Sequence, residues 1–300
     1  MPPVQGVPEA RHLVPQGTLD PPGARVNRAY ATLQALAVGD ALGSQFFVPA
    51  NRASYEDRTL PPGPWQWTDD TEMAASVYRI LAAHGEIDQD ALARAFADNH
   101  DFDRGYGPST NRLLRLIREG GDWRTLAREP FGGRGSWGNG AAMRVAPVGA
   151  WYFGDPDTAA RQAALSAEVT HPHPEAVAGA VAVAVAAALP RTTPGAFLDA
   201  VIDRTPPTNV RDGIAEARRL LPLGDPVLAS AALGNGRLVA AHDTVPFVLW
   251  AAARNQDDYE RAFWTTAAAG GDIDTNCAIV GGIIGDPPAH WLAQCEPLPL

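Results

Sequence analysis

The sequence lacks most of the features that mark a secreted or disulfide-stabilised protein. Only two cysteines occur in 300 residues, Cys277 and Cys295, and their spacing fits neither a disulfide framework nor a metal site. Residues 1–23 are rich in Pro and Gly and have no apolar run of the kind found in a signal peptide. We therefore predict two free thiols in a reducing cytoplasm, and a flexible N-terminal arm over residues 1–23.

Long hydrophobic runs are also missing. The longest one covers residues 176–189, "AVAGAVAVAVAAAL", and is shorter than the roughly 17–25 residues that cross a bilayer. Because this run is apolar on every side, it predicts a buried central helix rather than a membrane span. We expect no membrane partner.

The chain has no excess of positive charge. Its formal net charge is −10 and its pI is about 5.1, which disfavours general binding to nucleic acid. An acidic protein that binds an anionic ligand would be helped by divalent cations.

Alternating strand patterns, internal repeats and Pro/Ser linkers are rare or missing after residue 24. Apolar residues recur instead at helical spacing, separated by Gly or Pro. These patterns predict one compact, all-α domain over residues 24–300 with long connecting loops. The predicted helices cover residues 27–43, 69–84, 88–100, 109–119, 157–168, 174–189, 208–221, 243–254, 257–269 and 274–284.

Two of the loops are dense in glycine, "RGYGPST" (104–110) and "FGGRGSWGNGAAMR" (131–144). Glycine lets the backbone approach a ligand closely and present N–H groups to an anion. Each loop leads into a helical pattern, where the helix N-terminus favours phosphate. Taken alone, either loop is explained equally well by ordinary turn chemistry.

Acidic residues and threonine gather at two predicted helix starts, "TDDT" (68–71) and "DIDT" (272–275). One explanation is helix capping, which such residues favour. The other is a metal site, if the two clusters meet in space. Two carboxylates 4 Å apart repel by about 4 kcal/mol at an effective dielectric of 20, so a meeting would require cations. Oxygen ligands favour Mg²⁺, with Mn²⁺ or Ca²⁺ as alternatives, over zinc.

Six motifs in one order carry a resemblance to a known family. They are "GDALG" (39–43), "WTDDTEMA" (67–74), "RGYG" (104–107), "GSWGNGAAMRVAP" (135–147), "SAEVTHPHPEAVAGA" (166–180) and "GGDIDTNCAIVGGIIG" (270–285). Together they resemble the ADP-ribosylglycohydrolases from about residue 27 to residue 285. The glycine loops look closer to the serine-acting branch than to the arginine-acting one.

The resemblance implies an all-α fold with a binuclear Mg²⁺ centre in a cleft, with Mn²⁺ as an alternative. It places the metal ligands on Thr68, Asp69, Asp70, Asp272, Asp274 and Thr275. It further implies hydrolysis of the glycosidic bond between ADP-ribose and an acceptor, with Asp69, Asp70 and Asp274 as candidate catalytic carboxylates. The expected partners are ADP-ribose and ADP-ribosylated substrates.

The resemblance also places the ADP-ribose contacts. They fall on Gly107, Phe131, Gly135, Ser136, Trp137, Gly138, Asn139 and His171. Phe131 lies where the serine-acting type has an aromatic ring against adenine. From the residues alone, His171 reads instead as a hydrogen-bonded loop histidine before Pro172.

One position departs from the serine-acting pattern. A glutamate is expected four residues beyond the "GDxxG" motif, and Phe47 stands there. A phenyl ring can neither accept a proton nor bind a cation. Three explanations remain: Glu56 replaces that glutamate, a metal-bridging aspartate serves as the base, or the protein binds ADP-ribose without hydrolysing it. A phosphoesterase that cleaves the pyrophosphate is a further hypothesis, and the acceptor itself is not determined.

Overall fold

The computed structural model describes residues 21–300, in which helices are joined by loops and no β-strand occurs. The predicted all-α fold is confirmed. The predicted arm, residues 1–23, lies almost entirely outside the described residues. In chain order the α-helices of residues 21–300 are α1 (Pro22–Gln45), α2 (Arg52–Asp57), α3 (Asp69–His84), α4 (Gln89–Asn99), α5 (Pro108–Arg118), α6 (Trp123–Arg128), α7 (Pro130–Gly133), α8 (Ala146–Trp151), α9 (Pro156–Glu168), α10 (Pro174–Ala188), α11 (Pro194–Arg204), α12 (Asn209–Arg219), α13 (Pro226–Leu233), α14 (Ala241–Arg254), α15 (Tyr259–Ala267), α16 (Ile273–Ile284) and α17 (Ala289–Leu292).

Each of the ten predicted helices is present, with ends that agree to within about five residues. Seven further helices were not predicted: α2, α6, α7, α8, α11, α13 and α17. Six of these have eight residues or fewer, too short to show a clear periodicity. Helix α11 is longer, but its opening "TPG" resembles a turn. Thr193 caps it and Pro194 occupies its first turn, where proline is tolerated.

The predicted central helix is α10. Its residues from Ala178 to Ala186 are almost completely buried, and the helix packs against α8, α9 and α14. Small Ala and Gly side chains let these helices lie close together. The apolar run therefore forms part of the core, and no helix among residues 21–300 has both the length and the hydropathy of a membrane span. Both cysteines are free, as predicted.

Helices α1 and α16 make the most extensive helix pair and carry residues of the candidate site. A Cβ atom on Gly281 would lie 2.6 Å from the carbonyl oxygen of Ala35, so the two backbones are nearly in contact. Helix α3 packs against the same part of α1. The starts of α3 and α16, more than 200 residues apart in sequence, thus approach one another beside α1.

Candidate active site

Two glycines of α1 bring the acidic clusters together. A Cβ on Gly39 would lie 2.1 Å from the carbonyl oxygen of Cys277, and one on Gly43 would lie 2.8 Å from the Cα of Asp274. Other residues would force α1 and α16 apart, so glycine is required at this crossing. As a result, carboxylate oxygens of Asp40, Asp70 and Asp274 all lie within 4.8 Å of one another. The two clusters do meet in space.

Asp40 lies between these two glycines and is completely buried. Thr68 donates to it from its backbone N–H (2.9 Å) and its hydroxyl (2.7 Å). Thr71 donates likewise, at 3.1 Å and 2.5 Å. The N–H of Thr71 is one of the free donors at the start of α3, so Asp40 caps that helix from α1. No role was predicted for Asp40 from the sequence, although it lies within "GDALG".

The capping explanation of the two clusters is wrong for the residues at their N-cap positions. The side chain of neither Thr68 nor Asp272 accepts a hydrogen bond from a backbone N–H of its own helix. Capping by Asp or Thr is common elsewhere in the described chain, where it is made by Asp88, Asp122, Asp155, Thr193, Thr208, Asp225 and Asp258. The side chains of these two residues make other contacts: Thr68 with Asp40 and Asp70, and Asp272 with Asn139.

The second cluster is tied to one of the glycine loops. The side-chain amide of Asn139 donates to Asp272 Oδ2 at 2.7 Å and to the hydroxyl of Thr244 at 3.1 Å. Asp274 Oδ1 accepts the N–H of Thr275 at 2.9 Å. Asn139 therefore fixes the position of Asp272 relative to the loop that follows Gly135.

Burial and mutual repulsion make these carboxylates difficult to ionise. Burial, followed by the charge of Asp40, raises the pKa of both Asp69 and Asp70 well above the ordinary value. Burial, followed by the charge of Asp274, raises the pKa of Asp272 to about 7. A cation beside these buried carboxyl groups would stabilise their charged form.

The atoms present fit a hard divalent cation. Asp70 Oδ1 is buried and has no hydrogen-bond partner among the described residues. The hydroxyl of Thr68 lies 2.7 Å from Asp40 Oδ1 and 3.0 Å from Asp70 Oδ2, but it has one proton and can donate to only one of them. A cation between these oxygens would satisfy both unpaired sites, and carboxylate and hydroxyl oxygens are the ligands that Mg²⁺ and Ca²⁺ prefer. The cluster could thus hold metal ions.

The clusters form the floor of a cavity of about 520 Å³. Of the predicted site residues, all but Thr68 and Gly135 line it. Thr68 lies at the wall of an adjacent groove of about 450 Å³. Gly135 packs behind the cavity, where a Cβ would lie 2.7 Å from Cγ of Pro172. A cavity of this size suits a nucleotide-sized ligand.

The segment just before α14 closes one side of the cavity, and sequence reasoning missed it. The N–H of Asn139 donates to the carbonyl of Val239 at 3.3 Å, and the N–H of Ala241 donates to that of Trp137 at 3.0 Å. Leu238 and Val239 line the cavity although they are 68% and 60% exposed. The turn-forming "GNG" of residues 234–236 was the only local signal. The glycine loop of residues 131–144 is thus held by backbone hydrogen bonds to the segment before α14.

The loop of residues 104–107 is anchored at its first residue. Arg104 forms two hydrogen bonds with Glu296, of 2.8 Å and 3.0 Å, and donates to the carbonyl of Trp67 at 3.1 Å. Its guanidinium carbon also lies 3.5 Å from the centre of the Trp67 ring. These contacts join the loop to the C-terminal segment and to the start of α3, and Gly107 at its other end lines the cavity.

Aromatic rings lie at the mouth of the cavity. Phe131 is 49% exposed and its ring centre lies 4.3 Å from that of Trp137. The backbone of Phe131 has a φ of 58°, which is uncommon for a residue with a side chain. A flat ligand group could stack on this pair.

His171 is buried at the cavity wall. Its Nδ1 lies 2.7 Å from the hydroxyl of Thr170, and its ring lines the cavity. His171 is therefore a hydrogen-bonded loop histidine whose ring also lines the cavity, and its contact with ADP-ribose stays a prediction.

The two residues considered around the missing glutamate lie away from the cavity wall. Phe47 is 53% exposed and does not line the cavity. Glu56 accepts a hydrogen bond from Arg52 at 2.8 Å on the exposed surface of α2. In this conformation Glu56 does not replace the missing carboxylate.

Comparison with known proteins gives a consistent result. The model of the ADP-ribosylglycohydrolase family matches residues 21–296. The chain is 28% identical to ADP-ribosylhydrolase ARH3 of Danio rerio, with 92% of this chain and 88% of that protein covered. It is 28% identical to ADP-ribosyl-[dinitrogen reductase] glycohydrolase of Rhodospirillum rubrum, with 90% of each chain covered. Among solved structures, an ADP-ribosylglycohydrolase-related protein complex matches with a TM-score of 0.58 and 26% identity, covering 91% of this chain and 94% of that one.

Proposed function

Because this chain belongs to the ADP-ribosylglycohydrolase family, whose members hydrolyse ADP-ribose linkages, we propose that it cleaves the glycosidic bond between ADP-ribose and an acceptor. The products are free ADP-ribose and the unmodified acceptor. The observation that carries this proposal is the meeting of two acidic clusters on the floor of a nucleotide-sized cavity.

We assign two divalent cations, Mg²⁺ in preference to Mn²⁺, to this floor. Their ligands would come from Thr68, Asp69, Asp70, Asp272, Asp274 and Thr275. Bound cations supply positive charge that lowers the pKa of nearby oxygen acids and orients hydroxyl groups. Asp40 would support the cation site indirectly, because the four hydrogen bonds that it accepts hold Thr68 and Thr71 in place.

The glycine loops position the ligand. Backbone N–H groups at Ser136 and Gly107 would hold the diphosphate, Gly138 would let the ligand approach the backbone closely, and Phe131 with Trp137 would take the adenine. These contacts lie far from the bond that breaks, so their binding energy serves to orient the distal ribose. The anomeric carbon would then face the carboxylates of the cavity floor.

Asp69 is the carboxylate that we assign as the proton acceptor. It lines the cavity, and its Oδ1 lies 3.7 Å from where a Cβ on Gly105 would be, so glycine there leaves space beside this oxygen. Of the other candidates, Asp70 is almost completely buried, and Asp274 Oδ1 already accepts the N–H of Thr275. In the reaction the water oxygen bonds to the anomeric carbon and one water proton passes to Asp69, while the other stays on the new hydroxyl of ADP-ribose. The bond to the acceptor breaks with its electrons going to the acceptor, which then takes up the proton held by Asp69, directly or through solvent, so that Asp69 is regenerated. Attack occurs on a centre with oxocarbenium character.

A non-catalytic ADP-ribose-binding protein is the second candidate. Phe47 favours it, because the carboxylate expected at that position is missing and Glu56 lies elsewhere. The intact acidic clusters favour hydrolysis.

The two free thiols support our assignment of the protein to a reducing cytoplasm.

The test is a panel of mono-ADP-ribosylated arginine, serine and nucleic-acid substrates, scored for free ADP-ribose with Mg²⁺ and with a chelator. We expect release from at least one substrate, lost on chelation and in Asp274→Asn. Asp212→Asn is the matched control, because Asp212 also lies in the first turn of a helix but outside the cavity. Tight ADP-ribose binding without release from any substrate would favour the non-catalytic candidate, and AMP as product would indicate a phosphoesterase.

A further inference from the structure

A buried arginine lies behind the glycine loop and has no place in the proposed reaction. Arg144 is completely buried, and its partners are neutral: three oxygens, Sδ of Met73 at 3.5 Å, and the ring of Phe96, whose centre lies 4.4 Å from the guanidinium carbon. It donates to the carbonyls of Gly140 (3.2 Å) and Ser166 (2.9 Å), and to the hydroxyl of Thr170 (2.9 Å). Burying a cation without a carboxylate beside it is costly, so packing alone is a weak reason for this residue.

The contact with Thr170 restricts where protons can lie. A guanidinium has donors and no acceptor, so the Thr170 oxygen must accept from Arg144. The hydroxyl proton then needs an acceptor of its own. Within the described chain, the other hydrogen-bond partner of this hydroxyl is Nδ1 of His171, at 2.7 Å. Since Thr170 is only 3% exposed, its proton is best satisfied by that nitrogen.

Nδ1 of His171 is thereby an acceptor, and the ring proton must lie on Nε2. That nitrogen faces the cavity side. A Cβ on Gly140 would lie 2.9 Å from Nε2, and one on Gly138 would lie 3.3 Å from it. The two glycines leave room for the ring edge to reach the ligand space, and no hydrogen-bond partner of Nε2 occurs in the described residues.

We propose that Arg144 and Thr170 are positioning residues that hold His171 as the neutral tautomer protonated on Nε2, which presents an N–H donor to an oxygen of the bound ligand. The hydrogen bond from Nε2 to the ligand rests on the proposed function, in which the accepting oxygen belongs to ADP-ribose. The tautomer does not rest on it.

Burial and the charge of Arg144 act in the same direction. Burial, followed by the nearby guanidinium, lowers the pKa of His171 to about 3. The ring is therefore neutral throughout the neutral pH range. A neutral N–H donor can bind a phosphate or hydroxyl oxygen without adding a charge that competes with the cation site.

Nitrogen NMR of protein labelled with ¹⁵N-histidine tests the tautomer directly. The spectrum of His171 is identified by its loss in His171→Gln. In the ligand-free protein at pH 9 we expect the shift of a protonated nitrogen at Nε2 and of an unprotonated one at Nδ1. A proton on Nδ1 in the wild-type protein would overturn the proposal.

A matched pair of substitutions tests the role of Thr170. In Thr170→Asn the side chain can still accept from Arg144 and donate to Nδ1, so the tautomer is retained. In Thr170→Asp the side chain has acceptors only, so it takes the proton of Nδ1 and leaves Nε2 bare. Thr170→Ser is a conservative control that keeps the wild-type tautomer. Identical His171 spectra in the Asn and Asp variants would overturn the proposal even if both fold well.

Calorimetry with ADP-ribose at pH 9 measures the consequence for binding. Because a hydrogen bond to a charged oxygen of the ligand is lost, Thr170→Asp should weaken binding about tenfold or more relative to Thr170→Asn. Equal affinities would overturn the assigned contact with the ligand. If the wild-type protein does not bind ADP-ribose, the proposed function fails, while the spectra still decide the tautomer.

Discussion

The crossing of α1 and α16 can be disturbed by one methyl group. In Gly43→Ala the new Cβ would lie 2.8 Å from the Cα of Asp274 and 3.1 Å from its backbone N. Both are backbone atoms, so no side chain can rotate away. The first distance is about 0.6 Å shorter than ordinary contact, which begins at 3.4 Å. The helices must separate by roughly this amount, and Asp274 moves with α16.

Two opposing contributions set the effect on stability. Alanine is favoured over glycine inside a helix by about 1 kcal/mol. Overpacking at the crossing costs about 1–3 kcal/mol. The net loss is therefore about 0–2 kcal/mol, which lowers the Tm of a protein of this size by at most about 8 °C.

The effect on activity should be larger than the effect on stability. A 1 Å misplacement of reacting groups can cost about a hundredfold, so a shift of roughly half that size predicts about a tenfold loss of kcat. The assay is release of ADP-ribose, together with the rise in Tm on addition of Mg²⁺. Both should fall in Gly43→Ala.

Gly23→Ala in the same helix is the matched control. A Cβ at Gly23 meets no atom of the described residues, so stability, turnover and cation response should remain close to wild type. The reasoning is refuted if Gly43→Ala keeps wild-type turnover and an undiminished response to Mg²⁺. That result would mean that the close approach of the backbones does not set the position of Asp274.

Three further predictions concern the cavity and its walls. Because the pKa of Asp272 is raised to about 7, the folded protein holds a proton on this carboxyl group up to about pH 7. In chelator, the stability that this bound proton contributes is therefore lost as the pH rises from 3.8 through 7. Mg²⁺ binding strengthens over the same range, because the cation binds the deprotonated carboxylate. Thermal melts and calorimetry from pH 5 to 8 measure this relative to Asp272→Asn. Phe131→Ala should weaken ADP-ribose binding about three- to tenfold in calorimetry, since an aromatic pair contributes about 0.5–1.5 kcal/mol. Its Tm should be unchanged, because the ring is half exposed. Glu296→Gln should raise KM about threefold or more with a smaller effect on kcat, because one charged hydrogen bond to Arg104 is lost and the loop of residues 104–107 is loosened.

Each of these predictions has an outcome that would contradict it. A chelated wild-type protein whose pH dependence matches that of Asp272→Asn would exclude the raised pKa. Unchanged affinity in Phe131→Ala would exclude stacking at the cavity mouth, and Phe102→Ala, an exposed ring outside the cavity, controls for loss of surface aromatics. A fall in kcat without a change in KM for Glu296→Gln would mean that Arg104 positions the reacting groups rather than the ligand.

Local patterns in the sequence were sufficient for the fold class. Helical spacing identified α3 and α16 to within a residue, and the apolar run identified α10 as a buried helix. These features depend on neighbours three or four residues apart, so they can be read without knowing the tertiary structure. Helix α8 was missed because Pro147 and Gly149 disturb that spacing, whereas packing against α1 and α10 stabilises it.

The candidate site was visible in the sequence only as parts. "TDDT" and "DIDT" each supported capping or a metal site, because the two functions use the same oxygen atoms. The structure adds contacts over long separations: Asp40 caps α3 in place of Thr68, and Gly43 admits Asp274 to the same space, so the acidic residues form one group that could hold metal ions. Asp40, Leu238 and Val239 could not be found earlier, since each acts through a partner distant in sequence. The residue types at the site were thus determined locally, while their meeting depends on two backbones close enough to exclude any side chain between them.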